Sequence, residues 1–385
     1  MKQILQILFL LLKNLIAHIT KKPMQLNLPQ ATHKKADTIH TESRFTQQEN
    51  GVFANGKTEK SATILLTGDL LCQRKQQNAY RTADGNFDFS DMFGPVTELF
   101  KKADLVVGNL ETICDTTLAY MHESITADGL PFLNAPKEFI TALKNAGFDA
   151  VCSANNHNCD GGLQGLTETL KNLQNAELPV TGIFNNADEA RYLLFDVNGI
   201  RVALLAYSCF YNFKSSALNK IERNTHLNLY RTKKAATDID NAKKDGADFI
   251  ITYIHWGSEY THRVSMRQKR IAKRLAKAGS NLIAGSHSHV LQPFDTVNGV
   301  PCLYSFGNFI SSQTKDGTQE SVLLQVKLQK ENGKTKIADL CAIPCKTSVD
   351  AEDQNHRVEH VNAETDKEIF ERITKITGKK LHIKK

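Results

Sequence analysis

Between residues 62 and 310 the chain alternates short apolar, β-branched runs with amphipathic helical stretches, and the runs keep ending on polar residues capable of chemistry. The clearest is 249–260, FIITYIHWGSEY. Its first six residues are of the kind that fill a buried strand. They stop on His255, with Trp256, Gly257, Glu259 and Tyr260 behind it. Alone, such a histidine reads as a core imidazole tethered to a backbone carbonyl. Four more segments end the same way. Residues 62–66 run into Thr67-Gly68-Asp69, 105–107 into Gly108-Asn109-Leu110-Glu111, 148–154 into Asn155-Asn156-His157, and 282–284 into Gly285-Ser286-His287-Ser288-His289. Strands alternating with helices predict an α/β fold, and open α/β folds place their sites at the carboxyl ends of strands.

The intervening helices are expected at 137–146, 161–176, 231–244 and 266–278, the second with Leu163, Leu166, Leu170 and Leu173 on one side. The alternating VLLQVKL of 322–328 predicts a half-exposed strand. Residues 263–277 carry Arg263, Arg267, Lys269, Arg270, Lys273, Arg274 and Lys277, with Met266, Ile271 and Leu275 on the buried side. A solvated helix face is the plain reading; a track for an acidic polymer or an anionic membrane is the sharper one.

Composition narrows the classes. Hydrophobic content of 41% and charged content of 23% are ordinary for a globular protein. A net charge of +7 allows an anionic partner, and no nucleic-acid partner is expected. None of the eight cysteines forms a Cys-x-x-Cys pair, so reduced, buried thiols are expected rather than a zinc ribbon or a disulfide framework. Residues 4–19, ILQILFLLLKNLIAHI, are interrupted by Lys13 and fall short of the ~20 apolar residues of a spanning helix. They suit an interfacial or signal-anchor helix giving membrane association, or equally a helix docked on its own protein. The expected organisation is a candidate anchor at 1–22, a polar linker at 23–60, a body at 61–350, and an appended helix and basic tail at 351–385.

Asp69, Glu111, Asn156, His157, His255, His287 and His289 together supply the carboxylates, amide and imidazoles that a pair of divalent cations needs. The absence of cysteine from the set disfavours a closed structural zinc site.

At this point the residues resemble a known family. Thr67-Gly68-Asp69, Asn109-Leu110-Glu111, Ala154-Asn155-Asn156-His157 with Asp160 and Gly161, His255-Trp256-Gly257 with Glu259-Tyr260, the stretch 285–292 (GSHSHVLQ) and 304–309 (YSFGNF) look like the signature of the CapA family of capsule-synthesis, poly-γ-glutamate-associated proteins. The resemblance implies a fold similar to the calcineurin-like metallophosphoesterases: α/β, a four-layer αββα sandwich, here with a polar N-terminal extension and an appended C-terminal helix. It implies Asp69 as a terminal ligand of the first metal and Glu111 as the bridging carboxylate. Asn156 and His255 would serve the second metal, with His287 and His289 serving one each. His157 matches the histidine that protonates a leaving oxygen, and Asp160 the carboxylate that orients it. Two departures stand out: Leu70 and Leu71 follow Asp69 where the phosphoesterases have Asp-x-His, and Ser288 stands where many relatives have Pro. The first removes an imidazole, so one tight and one weak ion is a live expectation.

The resemblance thus implies a hydrolase using one or two Mn, Fe or Zn ions on a phosphoester or γ-glutamyl polymer. It would sit in the bacterial envelope beside other capsule-synthesis membrane proteins, although a cytoplasmic location is also compatible. A non-catalytic scaffold subunit of a polymer synthesis and export complex is the alternative. A glycosidase using Asp69 and Glu111 leaves the histidines unexplained. Trp256 reads as core packing or a platform. Asn155, Glu259, Tyr260, Gln292, Ser305 and Asn308 are expected to meet substrate or to hold the loops.

Overall fold

The computed structural model describes residues 33–41, 59–120, 132–212, 218–352, 354–378 and 380–384. The candidate anchor at 1–22 lies outside them; among the described residues no helix is long and apolar enough to cross a membrane.

In chain order the strands begin with β1 (Thr38–His40), β2 (Lys60–Leu70), β3 (Leu105–Leu110), β4 (Ala150–Cys152) and β5 (Val180–Thr181). There follow β6 (Leu193–Val197), β7 (Ile200–Ser208), β8 (Phe249–His255), β9 (Leu282–Ser286), β10 (Leu291–Val297) and β11 (Val300–Phe306). The last are β12 (Asn308–Ile310), β13 (Glu320–Glu331), β14 (Lys334–Val349), β15 (His356–His360) and β16 (His382–Ile383). The helices are α1 (Arg74–Ala79), α2 (Thr97–Phe100), α3 (Lys137–Ala146), α4 (Gly162–Asn175), α5 (Lys220–His226), α6 (Thr232–Lys244), α7 (Met266–Ala278) and α8 (Lys367–Thr377).

Two sheets result. One runs β1-β6-β7-β8-β9-β11-β10; the other runs β15-β14-β13-β2-β3-β4-β5, with β12 added on β2 and β16 on β14. Strand periodicity makes the layers. Along β8, Phe249, Ile251 and Tyr253 point into the core between the sheets, where they join Ile64, Leu66, Leu105 and Val107. Ile250 and Ile254 point the other way, onto Ala235 and Ile239 of α6 and Ile271, Ala272 and Leu275 of α7. The outer face of the larger sheet is covered likewise by α3 and α4 through Phe139, Ile140, Leu166 and Leu170. The chain is an αββα sandwich. Tyr253 ties its sheets together, donating from its buried hydroxyl towards Thr67 O at 3.1 Å and Val107 O at 3.2 Å.

Several expectations change in detail. The strand predicted to break at Thr67 continues to Leu70, because β12 pairs with its end and puts Asn308 beside Asp69. The segment at 322–328 is half-exposed only in its second half: β13 lies between β14 and β2, and Leu323 faces one core while Val322 and Leu324 face the other. Its alternation comes from Gln325 and Lys327 alone, further along the strand. Within the 23–60 segment, Thr38–His40 forms an edge strand beside β6, too short to show a period. The 351–385 segment contains the expected helix, whose Ile373 is buried, and also two strands that pair with β14.

Gly68 explains itself by space. A Cβ there would lie 2.0 Å from Gly307 O, where the β12 turn closes over β2. Gly68→Ala is therefore expected to cost about 1–3 kcal/mol or more, read as a lowered urea midpoint, and to push Asp69 out of place.

Candidate metal centre

β2, β3 and β4 are parallel to one another, as are β7, β8 and β9, so their carboxyl ends gather at one edge of the sandwich. Asp69 ends β2, Glu111 follows β3, 155–157 follow β4, His255 ends β8, and His287 and His289 follow β9. All of them are buried. Ligand atoms of Glu111, His255 and His287 fall within 4.8 Å of one another, and so do those of Asp69, Glu111 and His289. Glu111 belongs to both groups. Its Oε1 is 3.5 Å from His255 Nε2 and 3.9 Å from His289 Nε2, while His289 Nδ1 is 3.7 Å from Asp69 Oδ2.

Surrounding side chains aim these atoms. Asn308 donates from Nδ2 to Ser311 Oγ, Gln313 Oε1 and Thr318 O, at 3.0, 3.0 and 3.1 Å, which fixes its Oδ1 as an acceptor. That oxygen lies 2.9 Å from His289 Nδ1. The proton thus sits on Nδ1, and Nε2 turns a lone pair towards Glu111. At His255, Nδ1 meets Ser286 Oγ at 2.9 Å, a partner that can take the ring proton there. Its Nε2 meets Asn156 Oδ1 at 2.6 Å and His287 Nδ1 at 3.0 Å, and with the ring proton on Nδ1 it would offer a cation its lone pair. Asn109 Nδ2 donates to Asp69 Oδ1 at 2.8 Å. His287 and His289 have left-handed backbones, with φ of 92° and 57°. For residues other than glycine this costs about 1–3 kcal/mol each and is kept where the surroundings impose it.

The electrostatics are unfavourable for the side chains alone. Burial pushes Glu111 well above the usual carboxylate range, and the Asp69 charge adds to it. Asp69 is raised too, again by burial, against the lowering influence of His289. Burial drives His255 and His287 well below the usual imidazole range, helped by neighbouring imidazoles. Neither oxygen of Glu111 meets a donor, nor does Asn156 Nδ2 meet an acceptor. Asp69 lies close enough to share a proton with Glu111. Buried lone pairs converging without donors are a donor set for cations, and the residues fit a divalent ion on each side of Glu111.

The sign of the resulting pH dependence follows. A carboxyl whose pKa is raised by folding contributes stability that is present below its ordinary value and lost as pH rises through the raised one. Glu111→Gln removes that loss. In chelator, the variant is expected to match its parent near pH 4 and to gain on it as pH rises to 8, by at most ~1.4 kcal/mol per pH unit. Urea unfolding across that range measures the gap. For His255 and His287 the sign is opposite: their stability is present above the ordinary imidazole pKa and is lost below it, in parent and variant alike.

The remaining expected residues occupy a second layer. His157 Nδ1 meets Asp160 Oδ2 at 2.8 Å, and the same oxygen accepts from Leu133 N at 2.7 Å. Asn155 donates to Leu110 O at 2.6 Å and accepts from His157 N at 3.1 Å, holding the 155–157 loop. Gln292 accepts from Gln268 at 2.7 Å and donates to Thr261 O at 2.9 Å, and Ser305 Oγ accepts from Gly307 N at 3.2 Å. Trp256 is core packing: it is 1% exposed, stacks on Tyr304, and donates to Tyr304 O at 2.9 Å. Glu259 and Tyr260 stand exposed at the rim, the tyrosine ring 5.7 Å from that of His289.

Two neighbours of the centre were not expected. Phe210 sets its ring edge-on to His287 at 4.6 Å, and Lys315 Nζ lies 3.5 Å from the centroid of the Tyr260 ring. For Phe210 a signal existed in its position just beyond β7; for Lys315, in a loop after β12, the sequence holds none.

Several known proteins are similar to this chain. Capsule biosynthesis protein CapA of Bacillus anthracis is 31% identical over 290 residues, covering 74% of this chain and 67% of that protein. PGA biosynthesis protein CapA of Bacillus subtilis (strain 168) is 30% identical over 269 residues, covering 69% and 67%. Among solved structures, the calcineurin-like phosphoesterase YfkN from Bacillus subtilis aligns over 82% of this chain and 97% of that one, with a TM-score of 0.49 and 18% sequence identity. Residues 63–313, the span that carries every member of the cluster, match the family model described as bacterial capsule synthesis protein PGA_cap. The chain belongs to the bacterial capsule synthesis (PGA_cap, CapA) family.

Proposed function

We propose that this protein is a metal-dependent hydrolase of the bacterial envelope that acts on an anionic capsule polymer of the poly-γ-glutamate type or on a phosphoester. The observation that carries the reading is Glu111, a buried carboxylate shared by two ligand groups and left without a donor on either oxygen. Asp69, Glu111 and His289 would hold one cation; Glu111, His255, His287 and Asn156 would hold the other. Bound cations supply the charge that polarises a phosphoryl or carbonyl oxygen and makes water a competent nucleophile near neutral pH.

The chain's own residues do the rest. Asp160 holds Nδ1 of His157, leaving Nε2 to hand a proton to the departing oxygen or nitrogen. His157 is near enough for its charge to bear on both His255 and His287. Burial of the cluster keeps bulk water from competing for the same lone pairs. A scaffold subunit of a polymer export complex has no use for such a costly arrangement of buried acids and imidazoles. The relatives' names place them in capsule and PGA biosynthesis, which supports an envelope location and neighbours among the polymer-synthesis proteins.

The protein as isolated is expected to contain Mn, Fe or Zn by elemental analysis, and to hydrolyse a generic phosphodiester or a γ-glutamyl amide when loaded. Protein without metal, and without activity after Mn or Zn is added, would overturn the reading.

A further inference from the structure

Helix α7 presents Arg267, Lys269, Arg270, Lys273, Arg274 and Lys277 to solvent and has no acidic residue. Like charges three and four positions apart repel one another, so a merely solvated face gains from mixing signs. Other helices of this protein do mix them. In α6, Asp238 pairs with Lys234 at 2.8 Å and Asp240 with Lys243 at 3.8 Å; in α8, Glu371 meets Lys367 at 4.0 Å. Among the described residues no carboxylate pairs with a cation of α7. Arg274 bonds Thr232 Oγ1 at 3.3 Å, and Asp295, on which Lys269 has a small influence, is taken by Lys380 at 2.6 Å. The result is a row of uncompensated positive charge about 15 Å long.

The row has a fixed position and a direction. Ile271, Ala272 and Leu275 anchor its underside in the core, and Gln268 Nε2 bonds Gln292 Oε1 at 2.7 Å. Its first turn opens on a cavity of about 250 Å3 lined by Phe210, Trp256, Ser258, Ser265 and Arg267. Phe210 is also a wall of the candidate metal centre, with its ring 4.6 Å from that of His287 and 6.2 Å from that of His255. Charge and cavity therefore lead to the same place.

We infer that α7 is the track on which a linear polycarboxylate is held and led to the metal centre, with the cavity beside Phe210 seating one of its units. The inference rests on the hydrolase reading for its destination, not for the binding itself. Charge complementarity selects the occupant. A membrane surface is disfavoured because the outward side of α7 offers no apolar group to insert except Met266, which is 69% exposed. Single-stranded nucleic acid is disfavoured because α7 itself carries no aromatic ring between its cations on which successive bases could stack.

The test is fluorescence anisotropy of end-labelled poly-γ-glutamate with the full chain, in chelator and with Mn, alongside flotation with phosphatidylglycerol vesicles. The parent is expected to bind polymer, less tightly as salt is raised. Arg270→Gln with Lys273→Gln and Lys277→Gln, all exposed and away from the metal centre, should weaken binding by about tenfold or more. The swaps Arg270→Lys, Lys273→Arg and Lys277→Arg should restore it, with melting temperatures unchanged throughout. A triple glutamine variant that binds polymer like its parent overturns the track, and so does a parent that floats with vesicles but ignores the polymer. Failure of the two ideas is distinguishable: polymer binding that depends on α7 without any hydrolysis keeps the track and sinks the hydrolase, whereas phosphodiester hydrolysis with α7-independent binding does the reverse.

Discussion

Adding Mn or Zn to chelator-stripped protein is expected to raise its melting temperature by several degrees, and Glu111→Gln to abolish the rise. A ligand that binds only the folded state at a hundredfold excess over its Kd stabilises by about 2.7 kcal/mol. Every candidate ligand set in the cluster includes Glu111, so its loss is felt on both sides. The variant also inverts the order of stability. In chelator at neutral pH it should melt no lower than the parent, because it no longer carries a buried carboxyl pushed far from its ordinary range. With saturating metal the parent should melt higher. An ordinary destabilising mutation lowers both curves, so the crossing is the diagnostic. Scanning calorimetry with and without metal reads it directly, and a variant that keeps the full metal-induced rise would remove Glu111 from the site.

His157→Ala is expected to lower hydrolysis by about 10²–10⁴-fold, the usual worth of a positioned proton donor, while leaving the metal content of the protein unchanged. His157 lies outside both ligand groups, and its Nδ1 is engaged by Asp160. Asp160→Asn should cost less, about 10–100-fold, because it loosens the imidazole without deleting it. Substrates with better leaving groups should narrow the His157→Ala deficit, since they need less protonation. If metal is lost together with activity, His157 is a ligand or a prop and the proton-donor role falls.

The sequence by itself determined which residues would be rivals for the site. Buried parallel strands are nearly all apolar, so a run such as FIITYIH announces both its burial and the exceptional residue at its end, and the same reading singled out Asp69, Glu111, Asn156, His157, His287 and His289 as candidates. It also read the face of α4 and, on α7, the burial of Ile271 and Leu275, because helix periodicity depends only on local spacing. Met266, expected on the buried side of α7, is instead 69% exposed, because it is the helix's first residue and no described element packs over it. Tertiary structure alone decided how these residues divide. His289 lies with Asp69 and His287 with His255 because two left-handed backbone residues turn the chain back on itself, a choice made by the surrounding contacts and not by local preference. Asn308 aims His289 only because β12 pairs with β2, across more than two hundred residues of sequence. Phe210 and Lys315 reach the rim from loops whose course no periodic pattern describes. Spacing along a chain encodes which side of an element a residue faces; what faces it from the other side is settled only when separate elements pack.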